Sequence, residues 1–357
     1  MIYFLQKLRS GLLTLFGVVT VVFFMFTVLP GDPAQMMLDQ QENPEQLAAL
    51  KKKFGFNLPI HQQYLYFLND LSPLSMHSTS PEDFTHYTSE KYGGLTLYTG
   101  ASNQLVLKWP YLRTSYQKRG KKVGSIIAET LPNTFVLAVA SLSIAILLGI
   151  GLGIVAALTK DQWTDRCLRL LSTLGMSVPS FFSAILFSWL FGFVLHRYTG
   201  LNMTGSLYEI DDFGEGQFIQ WKNLLLPALV LGIRPLAIII QLMRNSLLEE
   251  LTQDYIRTAR AKGLPLLAII FRHALKNALN PVITAVSGWF ASLLAGAVFV
   301  EYIFGWKGLG KEIVTALNTL DIPIIIGGVL TIATLFILIN IIVDYIYTLL
   351  DPKVKLN

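Results

Sequence analysis

The chain has 357 residues, 53% hydrophobic and only 14% charged, with a formal net charge of +5. A soluble domain carries about 25% charged residues, so this composition points to an integral membrane protein before any motif is read. The basic residues are scattered among short loops, which argues against nucleic-acid binding, and the single cysteine, Cys167, excludes an intrachain disulfide and a cysteine-built metal site.

Lys7 and Arg9 precede Gly11–Leu29, an uncharged apolar run of about bilayer-spanning length. The run is too long for the apolar part of a signal peptide, and its exit, Leu29-Pro30-Gly31-Asp32-Pro33-Ala34, lacks a small-residue cleavage pattern. It reads as an uncleaved first span with its N-terminus in the cytoplasm. Residues 31–122 are polar and form a long extracytoplasmic loop. His61, His77 and His86 in this loop are too widely spaced to read as a metal site and are expected to be solvated. Lys118, Arg119, Lys121 and Lys122 stand just before the second span, against the positive-inside bias.

Residues 123–352 form a five-helix core. The second span is Leu131–Thr159, with Gly149, Gly151 and Gly153 giving a thin surface for close packing. Lys160, Arg166 and Arg169 mark a cytoplasmic turn. Leu170–Leu195 is the third span, with Pro179 as its kink point. Residues 196–222 make an acidic external loop carrying Glu209, Asp211, Asp212 and Glu215. Leu224–Met243 is the fourth span and contains Arg234-Pro235. Val282–Val300 is the fifth, and Ile322–Leu350 contains the sixth, with Lys353 and Lys355 closing the chain in the cytoplasm. The expected fold is therefore all-α and polytopic, with six membrane helices and both ends inside.

Between spans four and five, Asn245–Pro281 is the long charged segment of the back two-thirds of the chain. Leu247, Leu251, Tyr255 and Ala259 recur every four residues, as on one helix face. Glu249, Glu250 and Asp254 come early and Arg257, Arg260 and Lys262 late, which suits the helix dipole. Ser246 and Glu249 have capping-box spacing; the alternative is that the fourth span runs straight through. Gly263 followed by Pro265 is a stop signal, and a second helix restarts at Pro265 with Leu266, Leu267, Ile269, Ile270 and Phe271. The segment is thus a helix–glycine–helix hairpin. The residues alone support equally a hairpin resting on anionic lipid and one docking a protein.

Gly305-Trp306-Lys307-Gly308-Leu309-Gly310-Lys311 fits the first seven positions of a phosphate-binding loop. It is rejected, because Glu312 follows where Ser or Thr is needed and no strand precedes it. Arg234, Asn340 and Asp344 are candidate interior polar residues; Tyr347 and Asp351 continue the face of Asn340 and Asp344. Tying helices together is favoured over substrate contact for them. No catalytic constellation and no metal-ligand set emerges.

The run Asp254-Tyr255-Ile256-Arg257-Thr258-Ala259-Arg260-Ala261-Lys262-Gly263-Leu264 closely resembles the cytoplasmic loop of bacterial ABC importer permease subunits. It is most like the dipeptide/oligopeptide (peptide/nickel) branch, B-type component. Arg257, Thr258, Ala259 and Gly263 occupy the superfamily's Glu-Ala-Ala…Gly core, with Ala259 and Gly263 keeping the general residue. The usual Ile-x-Leu-Pro close is replaced by His273, Leu275 and Lys276, with proline delayed to Pro281. Leu29-Pro30-Gly31-Asp32-Pro33 and Leu294-Ala295-Gly296-Ala297…Glu301-Tyr302-Ile303-Phe304-Gly305-Trp306…Gly308-Leu309-Gly310 are also similar to that branch. The resemblance covers residues 1–70 and 111–352, and residues 71–110 read as an insertion.

The resemblance implies a type-1 binding-protein-dependent importer domain in the bacterial cytoplasmic (inner) membrane. Arg257, Thr258, Ala259, Arg260, Ala261, Lys262, Gly263 and Leu264 would form its ATPase-coupling loop. It implies a second permease subunit, two ATP-binding cassette subunits and an extracytoplasmic solute-binding protein as partners. ATP and Mg would be used by the partner ATPases, with no cofactor bound by this chain and no enzymatic activity of its own. The cargo implied is a di- or oligopeptide, with nickel or another small solute as the alternative. A stand-alone secondary transporter would show inverted repeats and broken spans around midplane charges, and neither is visible.

Overall fold

The computed structural model describes residues 2–27, 34, 44–81, 83–118, 120–210 and 216–350. The Leu29–Pro33 exit, Arg119, the acidic residues Asp211, Asp212 and Glu215, and the tail from Asp351 lie outside the described residues. Helices dominate. Five of those described are long and apolar enough to cross a membrane: Gln6–Thr27, Val123–Leu158, Lys222–Glu250, Asn280–Phe304 and Ile322–Tyr345. Trp163–Ser177 and Ser180–Val194 make a sixth span only as a bent pair, folded through 111°. The expected span Leu170–Leu195, kinked at Pro179, is therefore a sharply broken element that begins earlier. The residue before a proline is pushed out of helical conformation, and Val178, at φ −79° and ψ 131°, stops the helix just before Pro179.

The chain divides into two compact units. One contains the described residues of Met1–Arg9, Thr130–Glu312 and Thr334–Asn357. Its centre is the Lys222–Glu250 helix, which buries Leu231, Ile239, Met243 and Leu247. Two glycines let the Val123–Leu158 helix approach it. A Cβ on Gly149 would stand 2.6 Å from Ile239, and one on Gly153 2.6 Å from Met243. Gly151 has nothing within 4 Å of that position, because it lies on another face of the helix. The thin surface therefore comprises two glycines and not three. In the loop that carries Glu209, strand Tyr208–Ile210 pairs antiparallel with Gln217–Ile219.

The other unit contains the described residues of Ser10–Glu129 and Ile313–Ala333. Residues 71–110 hold an antiparallel three-stranded sheet in the order β1-β3-β2, with β1 Leu74–Ser78, β2 Leu95–Thr99 and β3 Asn103–Leu107. β1 turns Ser75 and His77 inward and leaves Leu74 and Met76 exposed. His77 is consequently buried, against the expectation of a solvated residue. Its ring nitrogens lie 2.9 Å from Ser75 Oγ and 3.1 Å from the Thr85 carbonyl oxygen, and its ring centroid is 4.1 Å from that of Tyr92. His61 is exposed and His86 half-buried. Basic residues before the second span have protein partners: Lys121 Nζ is 2.6 Å from Glu129 Oε2, and Lys122 Nζ donates to the Glu90 carbonyl at 2.5 Å.

Candidate functional site

The Lys222–Glu250 helix runs straight through Ser246, so the capping box does not form. A turn over Leu251–Gln253 then breaks the path, with Leu251 N–H donating to the Leu247 carbonyl at 3.0 Å and Thr252 N–H to that of Glu249 at 3.1 Å. The break resets the helical phase. In the following helix, Asp254–Ala261, the buried positions are Ile256 and Ala259, whereas Tyr255 is 40% exposed. The expected face Leu247–Leu251–Tyr255–Ala259 is therefore not one face. Leu247, Ile256 and Ala259 join Ile239, Met243, Ile269 and Ile270 in one apolar core.

The helix ends as its sequence predicts. Gly263 sits at φ +77°, a left-handed conformation that glycine adopts without strain. Gly263 N–H donates to the Arg260 carbonyl at 2.9 Å and Leu264 N–H to that of Ala259 at 3.4 Å, the pairing of a Schellman cap. Leu264 packs on the same core as Ala259. Of the eight residues singled out here, Ala259 and Leu264 thus face inward. Arg257, Thr258, Arg260, Ala261, Lys262 and Gly263 are exposed.

The second half starts at Pro265 and runs through Leu266–Ile269, a wide turn over Ile270–Ala274, and Leu275–Ala278. With no proline at the usual closing position, helical backbone continues to Ala278, and Pro281 instead opens the Asn280–Phe304 helix. Leu266, Leu267 and Phe271 are exposed. Tyr255 ties the halves together: its hydroxyl donates to Glu250 and accepts from Asn277 Nδ2 at 3.1 Å. Burial first, and then the bond to Glu250, push the Tyr255 phenol above its ordinary pKa.

The interior polar candidates are not part of this hairpin. Arg234 is exposed on the Lys222–Glu250 helix. Asp344 Oδ2 pairs with Lys7 Nζ at 2.7 Å, joining the first and last long helices, and Asn340 is half-buried one turn before it. Two sites escaped sequence reasoning. Asp165 is wholly buried and paired with Arg244, a contact that no linear spacing signals. Glu301 is also wholly buried; its Oε2 accepts the N–H groups of Gly310 at 2.7 Å and Lys311 at 3.2 Å, anchoring the start of helix Leu309–Thr319. The segment Gly305–Lys311 follows a helix, not a strand, and Trp306 within it is fully buried. Among the described residues, no group of three or more His, Cys, Asp or Glu is gathered to hold a metal.

Residues 149–356 match the family described as binding-protein-dependent transport system inner membrane component, and residues 1–78 match the N-terminal model for such membrane components. The chain is 34% identical to the dipeptide transport system permease protein DppB of Alkalihalophilus pseudofirmus, over 99% of each chain. It is 32% identical to the di/tripeptide transport system permease protein DppB of Pseudomonas aeruginosa, over 97% of each. It is 31% identical to the Escherichia coli dipeptide transport system permease protein DppB, over 99% of this chain and 98% of the relative.

Proposed function

The chain belongs to the binding-protein-dependent transport system inner membrane components, a multi-pass membrane family, and from that premise we propose that it is the permease subunit of an ATP-driven importer of di- and oligopeptides. It pairs with a second permease to enclose the pathway. An extracytoplasmic binding protein delivers peptide to it, and two ATPase subunits dock below, against the hairpins of the two permeases. ATP and Mg act in those ATPases, and this chain supplies passage and coupling.

The observation that carries the coupling role is the direction of the hairpin's faces. Its apolar residues Ile256 and Ala259 are consumed in the protein's own core, and the exposed face presents Arg257, Thr258, Arg260 and Lys262. A helix resting on lipid turns its apolar face to the bilayer; this one turns it to the bundle. The outward polar face, flanked by Leu266, Leu267 and Phe271, suits a protein partner with a charged rim and apolar pockets. In this reading Lys262 lies in the cytoplasm, Glu209 outside and both chain ends inside. In a Cys167→Ala background, a cysteine at position 209 should react with a membrane-impermeant reagent in intact cells, and one at 262 should not. Labelling at 262 under those conditions overturns this orientation.

A further inference from the structure

The unit that carries the β1–β3 sheet holds a half-open cavity of about 1190 Å³. Sites for drug-sized ligands occupy about 300–1,000 Å³, so this one has room for a short peptide. Its wall combines Tyr92, Tyr111 and Tyr116 with Arg113 and Lys91. Arg113 is held at φ +66°, a conformation that non-glycine residues adopt at a cost and that clusters at functional sites. Its Nε donates to Asp70 Oδ2 at 2.9 Å, and its guanidinium lies 5.4 Å from the centroid of the Phe67 ring. Among the described residues, Nη1 and Nη2 donate to no protein group, so the outer edge of the fork is left for an acceptor.

The surrounding charge is unbalanced. Asp70 is buried, and its carboxylate and carbonyl are shared by Arg113 and by Lys108, whose Nζ donates to the Asp70 carbonyl at 2.5 Å. Lys91 Nζ donates to the Phe84 carbonyl at 2.7 Å and sits 4.6 Å from the Tyr92 ring centroid. Of these three cations only Arg113 touches the Asp70 carboxylate; Lys108 and Lys91 are held by backbone carbonyls. Asp83, at the cavity's exposed rim, is engaged by the Thr85 N–H and hydroxyl. Burial lowers the pKa of both Lys91 and Lys108, and Asp70 opposes this. The phenols of Tyr111 and Tyr116 are pushed up to about 12 by burial, so they remain neutral hydroxyl donors.

We propose that this cavity is a peptide subsite of the permease itself, in which the free edge of Arg113 receives the C-terminal carboxylate and Tyr92, Tyr111 and Tyr116 receive the neighbouring side chain. Arginine presents paired donors that match a carboxylate, and aromatic walls accept varied side chains without sequence preference. The assignment of a peptide rests on the import function proposed above.

The test is calorimetric titration of the full chain in lipid nanodiscs with leucyl-phenylalanine and with its C-terminal amide. The acid should bind saturably and the amide about tenfold more weakly or worse, since a hydrogen-bonded charge is lost. Arg113→Gln should abolish the difference between acid and amide, and Arg113→Lys should keep part of it. The acid–amide comparison needs no variant, so it stands even if Arg113→Gln folds poorly. Equal binding of acid and amide, or no binding of either, overturns the subsite. So does an Arg113→Gln variant that binds no peptide differently but loses its binding protein, because the carboxylate recognised is then that protein's. Proteoliposome uptake by the assembled importer separates the two levels. Peptide uptake without peptide binding to the permease removes the subsite and leaves the import function; no peptide uptake by the wild-type assembly removes both.

Discussion

Asp165 and Arg244, 79 residues apart, form a two-pronged ion pair, with the carboxylate accepting from Nε at 2.6 Å and from Nη2 at 2.7 Å. Asp165 has no exposed side-chain surface, and Arg244 retains only 11%. The pair joins the start of helix Trp163–Ser177 to the last turns of Lys222–Glu250, the helix that leads into the hairpin. Arg244 Nη1 also donates to Asn245 Oδ1 at 3.1 Å, so its guanidinium is used on three sides.

Removing one member of a buried pair strands the other charge, which costs about 3–5 kcal/mol. Asp165→Ala and Arg244→Ala should each lower the unfolding temperature of the purified chain markedly. The double variant Asp165→Leu/Arg244→Leu should recover much of the loss, since no charge is left stranded. Thermal unfolding of all three in one detergent checks this. Additive losses in the double variant would show that the two residues act independently.

The glycine surface gives a sharper contrast, because two neighbouring positions are expected to behave oppositely. A side chain at Gly153 meets Met243 Cβ at 2.6 Å and the Ile240 carbonyl oxygen at 3.0 Å, and backbone does not yield easily. Gly153→Leu should destabilise by about 1–3 kcal/mol through overpacking. Gly151→Leu, with nothing within 4 Å of its Cβ position, should leave stability near wild type. The same thermal assay decides, and equal effects at 151 and 153 would contradict the helix contact.

His77 makes the sheet acid-sensitive. Burial, the largest influence, lowers its pKa from the ordinary 6.5; the Thr85 carbonyl opposes this, Lys108 and Lys91 add to it, and Asp70 opposes it. The folded value lies below the unfolded one, so the folded chain favours the neutral ring. The stabilisation is complete above about pH 6.5 and is lost as pH falls toward the folded pKa. Hydrogen exchange of β1 and β3 amides, corrected for intrinsic rates, should therefore report less protection at pH 5 than at pH 7.5. His77→Gln should remove that difference. An unchanged acid response in His77→Gln would assign the sensitivity to another group.

Long apolar runs and the Gly263–Pro265 stop are legible in the sequence because their physics is local: span length, a glycine cap and a proline act within one turn. The inward Ile256, the buried His77 and the Asp165–Arg244 pair are not, because partners distant in the chain decide them. In β1 the usual pattern is inverted, with serine and histidine buried and leucine and methionine exposed, so alternation points to the wrong face. In the hairpin, three residues of turn after Glu250 shift the phase of the next helix, and no periodicity carried across that turn survives. Pro179 signals a kink, but the 111° fold depends on what the two halves pack against.

The proposed coupling role turns on Gly263. A side chain there meets no atom within 4 Å, so space does not constrain the position; only its φ of +77° does. A β-branched residue in that conformation costs roughly 1–2 kcal/mol, small beside the core that holds Ile256, Ala259 and Ile269. Gly263→Val should therefore insert and fold, but relax its backbone toward negative φ and misdirect Leu264 and the second half of the hairpin. Gly263→Asn should be tolerated, because asparagine enters the left-handed region readily. In proteoliposomes with the partner ATPases and loaded binding protein, Gly263→Val should lose peptide uptake and substrate-stimulated ATP hydrolysis, while Gly263→Asn keeps most of both. Arg257→Glu should weaken assembly mildly, since an exposed ion pair contributes about 0–1 kcal/mol. Full stimulated hydrolysis and uptake by Gly263→Val would mean that the hairpin is not the coupling element, and a membrane-resting role would then be the better account of this segment.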